Sequence, residues 1–107
     1  MLEKIRTLLP VGSVVTLKGV EGKAVISGYM QETEDPETGK ITRYEYMGLR
    51  YPFGHTDGQS ICAFNREMID RVLHRGYDDN ARILFLQKLS DAEEQAADQE
   101  LHFLEEL

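Results

Sequence analysis

Two β-like segments joined by a polar loop constrain the fold of this chain more than any other feature of its sequence. In the first, Lys23–Gln31, an apolar run precedes a Tyr-Met pair. In the second, Ile41–Gly48, side-chain character alternates, with Tyr44 and Tyr46 on one face. The loop over residues 32–40 is polar and carries a proline and a glycine, which are typical of turns. Two segments joined in this way predict an antiparallel hairpin, on which the rest of the chain has to build.

Two shorter segments predict further strands. Pro10 lacks a backbone N–H and suits the entry to a strand, and the alternating segment Ser13–Lys18 follows it. Ser60–Phe64 is a short apolar strand that follows a turn-rich segment, residues 51–58. A helical spacing of apolar residues before Pro10 predicts a short N-terminal helix. We expect a small four-stranded, mostly antiparallel sheet. The sequence does not decide between an open sheet and one that closes partly into a barrel.

The segment Asn65–Gly76 is the clearest predicted helix. Asn65 is a favourable N-cap residue and Gly76 a favourable residue just past a helix end. Between them, apolar residues recur at helical spacing, namely Met68, Ile69, Val72 and Leu73. We expect this helix to pack on one face of the sheet, which gives an α+β fold.

Residues 79–89 predict another helix, because Ile83–Leu86 and Leu89 are apolar around most of its circumference. Ser90 and Glu93 then match a capping box, the pattern of a new helix start. The C-terminal region is therefore either two helices with a break near Ser90 or one bent helix.

The predicted elements divide the chain into an α+β globular domain at residues 1–78 and a helical extension at residues 79–107. The extension either belongs to the same domain or serves as an interaction arm. The formal net charge is −7, and residues 89–107 supply all of it, because they hold seven acids and no Lys or Arg. An acidic tail repels phosphate backbones and anionic membrane surfaces, and no segment offers the basic face that nucleic-acid binding requires.

The remaining sequence features favour a cytoplasmic protein. No apolar run approaches the roughly 20 residues that span a bilayer, and the N-terminus lacks the pattern of a signal peptide. The single cysteine excludes an internal disulfide and suits a reducing compartment. We expect neither nucleic-acid binding nor membrane insertion.

Catalysis, metal binding and cofactor binding find little support in the sequence. A nucleophilic Cys62 would need His55 as base and Asp57 as orienting group, but Cys62 lies in an apolar predicted strand, where a thiol is ordinarily inert. The histidines are scattered, no Cys or His pair has metal-ligand spacing, and GVEGK lacks the spacing of a phosphate-binding loop. We expect a non-enzymatic protein with no cofactor. A small-ligand-binding or thiol-dependent enzyme domain that uses residues 51–62 is the alternative.

Two features are candidate partner-binding surfaces. The first is an aromatic cluster that forms either sheet packing or a binding face: Tyr44, Tyr46, Tyr51 and Phe53. The second is the acidic C-terminal helix, whose apolar residues either pack on the domain or bind a partner: Ala97, Leu101, Phe103, Leu104 and Leu107. A further hypothesis is a self-associating structural protein, a homodimer formed through this helix.

Three longer motifs together carry a resemblance to a known family. They are LLPVGSVVTLKG from Leu8, YEYMGLRYPFG from Tyr44 and FNREMIDRVLHRGYDD from Phe64. Their order and spacing resemble the small Firmicutes proteins numbered 4176 among the domains of unknown function, over Leu8 to about Leu89. Members are commonly encoded beside type VII (ESX-like) secretion systems and their LXG toxins. The resemblance implies a cytoplasmic accessory protein, chaperone or adaptor that binds a toxin or a small helical secretion partner, and it implies no catalytic residues.

Overall fold

The computed structural model describes residues 2–106, and it describes side-chain surroundings from residue 3 to residue 96. The chain divides into two compact units. The sheet unit is Leu9–Tyr77, and the helical unit combines the residues up to Leu8 with those from Asp78 onward. The first and last parts of the described chain therefore belong to the same unit.

The sheet unit contains one antiparallel sheet of five strands. The strands are β1 Val14–Leu17, β2 Lys23–Glu34, β3 Ile41–Tyr51, β4 Ile61–Phe64 and β5 Ile69–His74. Their order is β4-β3-β2-β1-β5, and the predicted hairpin is β2 paired with β3. The predictions of an α+β fold and of an antiparallel sheet are confirmed, but the predicted number of four strands is wrong.

The sheet is strongly curled but open. Its two edge strands, β4 and β5, are joined by only four residues, 65–68. A flat sheet of five strands would hold its edges about 19 Å apart, whereas the chain from Phe64 to Ile69 spans at most about 18 Å when fully extended. The sheet must therefore curve, yet no ladder joins β4 to β5 among the described residues, so it is not a closed barrel.

The predicted helix at 65–76 is wrong, because the segment forms a 3-10 turn at Arg66–Met68 and then strand β5. The Asn65 Oδ1 atom accepts a hydrogen bond from the Glu45 backbone N–H at 3.0 Å instead of capping a helix. The Glu45 carboxylate in turn accepts the Arg66 backbone N–H and the Arg66 Nε–H, both at 2.9 Å. These contacts with β3 fix the start of the segment, and pairing with β1 extends the rest. No helix from this segment covers the sheet.

Gly76 has a structural role that differs from the predicted helix end. Its backbone N–H donates to the Oγ of the buried Ser13 at 2.9 Å. A Cβ atom added at Gly76 would lie 2.4 Å from the Val11 carbonyl oxygen and 3.0 Å from the carbonyl carbon of Gly12. Gly12 itself has a φ of 92°, which favours glycine. The Pro-Val-Gly-Ser motif at residues 10–13 thus forms a bend, and the segment that follows β5 packs closely against it at Gly76.

Aromatic side chains form the centre of the sheet core. Tyr46 and Phe64 are buried and stacked with ring centroids 5.4 Å apart, and Tyr29 lies against Tyr46 at 6.1 Å. The Leu9 backbone N–H donates to the Tyr46 Oη at 2.9 Å, and the Tyr29 hydroxyl donates to the Leu9 carbonyl at 2.6 Å. Two tyrosines therefore satisfy both backbone groups of Leu9 and fix the entry to the sheet unit.

The helical unit consists of α1 Leu2–Arg6 and α2 Asn80–Glu106. The two helices contact each other, and the buried residues in this unit include Ile5, Leu8 and Leu86. Ser90 is buried within a continuous helix, so of the two alternatives for this region the one with a break near Ser90 is wrong. Within the described chain, neither helix combines the length and the apolar character needed to cross a bilayer.

Candidate partner-binding surface

The first turns of α2 expose more apolar surface than any other part of the helical unit that the structure describes. Ile83 is 56% exposed, Leu84 65% and Phe85 48%, whereas the adjacent Leu86 is buried. Four consecutive apolar residues surround the helix axis, so one side cannot bury them all. A helix that is apolar all round is normally covered on every side. In this chain, Ile83, Leu84 and Phe85 remain partly exposed to solvent.

A groove of about 420 Å³ lies along this part of α2. The surface that lines it is mostly apolar, and residues of both helices contribute to it: Arg6, Arg82, Ile83, Leu84, Leu86 and Gln87. Because α1 contains only five residues, it covers α2 over about 7.5 Å of helix length. The groove is therefore open to solvent along Ile83 and Leu84.

Two arginines line this groove, and only one of them is paired with a described carboxylate. The Arg82 guanidinium donates to the Leu8 carbonyl and forms an ion pair with Asp78 at 3.3 Å. Its Nε atom is buried without a hydrogen-bond partner among the described residues. Asp79 accepts the Arg82 backbone N–H at 3.2 Å and so caps the start of the helix. The side chain of Arg6 is exposed and makes no hydrogen bond or ion pair with any described side chain.

The residues of the aromatic cluster do not share one exposed surface. Tyr46 is buried in the core, and Tyr44 is half-buried on β3. Tyr51 is 49% exposed, with the Lys23 ammonium 5.5 Å from its ring centroid, and Phe53 is 69% exposed in the following turn. Of the four aromatic side chains, Tyr51 and Phe53 are the most exposed to solvent.

Two residues of the thiol hypothesis, Cys62 and Asp57, make separate contacts. Burial raises the pKa of the Cys62 thiol, and the nearby Arg50 guanidinium and a hydrogen bond with Gly48 lower it only in part. The Asp57 carboxylate accepts the backbone N–H groups of Gln59 and Ser60, which caps a 3-10 turn. Within the described residues, no hydrogen bond joins the Cys62 Sγ to either of its hypothetical partners. A thiol with a raised pKa is a poor nucleophile at neutral pH.

The candidate residues in the last part of α2 lie outside the side chains that the structure describes: Ala97, Leu101, Phe103, Leu104 and Leu107. Among the described residues, no group of three or more His, Cys, Asp or Glu side chains is arranged to hold a metal ion.

Comparison with known families identifies the chain. The model of the domain of unknown function DUF4176 matches residues 8–85. The chain belongs to this family. The match contains the whole sheet unit of the DUF4176 protein and the first turns of α2, up to Phe85, and it excludes Arg6 and the acidic end of the chain. No curated protein and no solved structure matches the chain.

The sequence-based site residues of this DUF4176 protein did not include the groove. Its signal was present, because Ile83–Leu86 is a run of four apolar residues at the start of a predicted helix. No local sequence pattern indicates that Arg6 lines the groove, because α1 contacts α2 only in the folded chain.

Proposed function

We propose that the protein is a non-enzymatic, protein-binding accessory of type VII secretion that acts in the cytoplasm. It would serve as a chaperone or adaptor for a secreted toxin or for a small helical partner of that toxin. The resemblance of its sequence motifs supports the association with secretion. The observation that carries the binding role is the solvent-exposed apolar surface of Ile83, Leu84 and Phe85 on α2.

The energetic argument follows from the exposed fraction of these three side chains. Full burial of a Leu, Ile or Phe side chain contributes about 1.5–3 kcal/mol. Each of the three retains about half of its surface in solvent, so covering that half would contribute about 1 kcal/mol per side chain. Exposed contiguous apolar surface on a small protein is typical of an interaction site.

The proposal is tested by co-expressing the chain with the toxin or the small helical protein encoded beside it. We expect co-elution at micromolar concentration, and we expect Leu84→Ser to weaken the complex about tenfold, which corresponds to about 1.4 kcal/mol. Leu73→Ser is the matched control, since it removes a half-exposed leucine from β5 in the sheet unit. Circular dichroism of both variants establishes that they are folded.

Two outcomes of this test and one further deletion variant separate the possibilities. Failure of the purified components to co-elute would reject the proposal. Equal losses of affinity in the two leucine variants would place binding elsewhere than on α2. Deletion of residues 91–107 tests whether the acidic end of α2 contributes, and we expect a weaker complex of a domain that remains folded.

A further inference from the structure

We propose that the groove between α1 and α2 binds an amphipathic helix of the partner, and that an acidic residue beside the apolar stripe of that helix pairs with Arg6. This inference rests on the proposed function and specifies the chemistry of the partner segment. The juxtaposition that carries it is an open apolar groove, along Ile83 and Leu84, with Arg6 at its wall, whose guanidinium pairs with no side chain that the structure describes.

The shape of the groove favours a helix as its occupant. Its lining comes from two helices, and α1 is too short to cover the exposed side chains of α2. A third helix can lay an apolar stripe into such a groove, as in many helix-in-groove complexes. Leu86 forms the buried part of the lining, while Ile83 and Leu84 would provide the contact surface.

The exposed guanidinium of Arg6 favours a carboxylate over a lysine at the position of the incoming helix that contacts it. The Asp78 carboxylate offsets the charge of Arg82, whereas the charge of Arg6 has no such partner among the described side chains. A helix that covers the groove removes water from around the Arg6 guanidinium, which is costly without an opposite charge. A carboxylate on the incoming helix can accept two parallel hydrogen bonds from a guanidinium. A lysine in the same place would add like-charge repulsion.

The experiment uses the full chain and two synthetic helical peptides of 20 residues as probes. Both peptides carry the same leucine stripe, but the residues flanking the stripe are Glu in one and Lys in the other. Binding is measured by fluorescence anisotropy at two salt concentrations. We expect the Glu peptide to bind at least tenfold more tightly than the Lys peptide, and we expect added salt to weaken its binding.

Charge reversal at the groove provides the decisive comparison. Arg6→Glu should abolish the preference for the Glu peptide, whereas Arg71→Glu should preserve it. Arg71 is the matched control because it is an exposed arginine of the sheet unit that does not line the groove. Leu84→Ser should weaken both peptides. Equal affinity of the two peptides, no binding of either, or an unchanged preference in Arg6→Glu would overturn the inference.

Two further measurements separate this inference from the proposed function. If the natural partner co-elutes equally well with Arg6→Glu and with Arg71→Glu, the charged groove is not its site, although the binding role stands. If no natural partner co-elutes with the unaltered chain, the proposed function fails. Sedimentation of the chain alone tests a second copy as the occupant. A dimer that Arg6→Glu dissociates would assign the groove to self-association and overturn the inference.

Discussion

Replacing Gly76 with alanine should destabilise the sheet unit substantially. The added Cβ would lie 2.4 Å from the Val11 carbonyl oxygen, 2.9 Å from the Ser13 nitrogen and 3.0 Å from the Gly12 carbonyl carbon. All three are backbone atoms, so no flexible side chain can move aside. The β5 end must therefore shift away from the bend at residues 11–13.

The expected cost follows from two contributions. Overpacking of a close contact costs about 1–3 kcal/mol, and weakening the hydrogen bond from the Gly76 N–H to the Ser13 Oγ costs about 1 kcal/mol more. Together these predict a loss of about 2–4 kcal/mol, a large part of the total stability of about 5–15 kcal/mol that is usual for small domains. The corresponding fall in melting temperature is about 10–20 °C.

Urea unfolding followed by far-UV circular dichroism measures this loss. Gly58→Ala is the matched control, because a Cβ at Gly58 meets no atom within 4 Å, and it should change stability by less than about 0.5 kcal/mol. Ser13→Ala should act non-additively with Gly76→Ala, since the two residues share one hydrogen bond. A Gly76→Ala variant as stable as the control would refute the close packing described for this site.

Three further predictions concern buried polar groups. Tyr46→Phe leaves the Leu9 backbone N–H without its acceptor and should cost about 1–3 kcal/mol in urea unfolding. Glu45→Gln should cost about 1–2 kcal/mol by the same assay, because it removes the charge that binds the Arg66 backbone and side chain; an unchanged midpoint would show that the pair contributes nothing. Burial raises the pKa of both Cys62 and Tyr46 above the values of the unfolded chain, which are about 8.5 and 10. The stability linked to each group is fully present below its unfolded value and is lost as the pH rises from that value through the raised folded pKa. The urea midpoint should therefore fall as the pH rises above about 8.5, and a Cys62→Ala variant that shows the same fall would exclude a contribution of the thiol.

Local patterns were sufficient to predict the central hairpin. The predicted strands Lys23–Gln31 and Ile41–Gly48 lie within the observed β2 and β3, because alternation and turn residues act over short distances in the chain. The strand after Pro10 and the strand before Asn65 were also predicted nearly at their observed positions.

Long-range contacts decided the elements that were predicted wrongly. Asn65 has the residue type of a helix cap, but its side chain binds β3 across 20 residues of sequence. Gly76 has the residue type of a helix end, but it is needed for close approach to the bend near Ser13. The capping box at Ser90 is likewise overridden, because burial places this residue inside a continuous helix. The residue types at these positions indicated a structural role. They did not indicate which long-range contact determines that role.

The same limit applies to the candidate surface. The apolar run in α2 indicated that several side chains there are buried against other residues, but the sequence alone does not show which of them stay exposed. Tyr46 is an example of the opposite error. Its residue type suits a binding face, but its side chain is buried in the core and its hydroxyl accepts a hydrogen bond from the Leu9 backbone N–H.

Thiol footprinting of α2 tests the central claim most directly. Cysteine introduced by Leu84→Cys should react rapidly with a maleimide in the isolated chain and slowly in the complex with the co-expressed partner. Cysteine introduced by Leu73→Cys should react at the same rate in both, and the native Cys62 contributes a slow background because burial raises its pKa. Protection at position 84 alone is the predicted result. Equal labelling of position 84 with and without a bound partner would contradict the account.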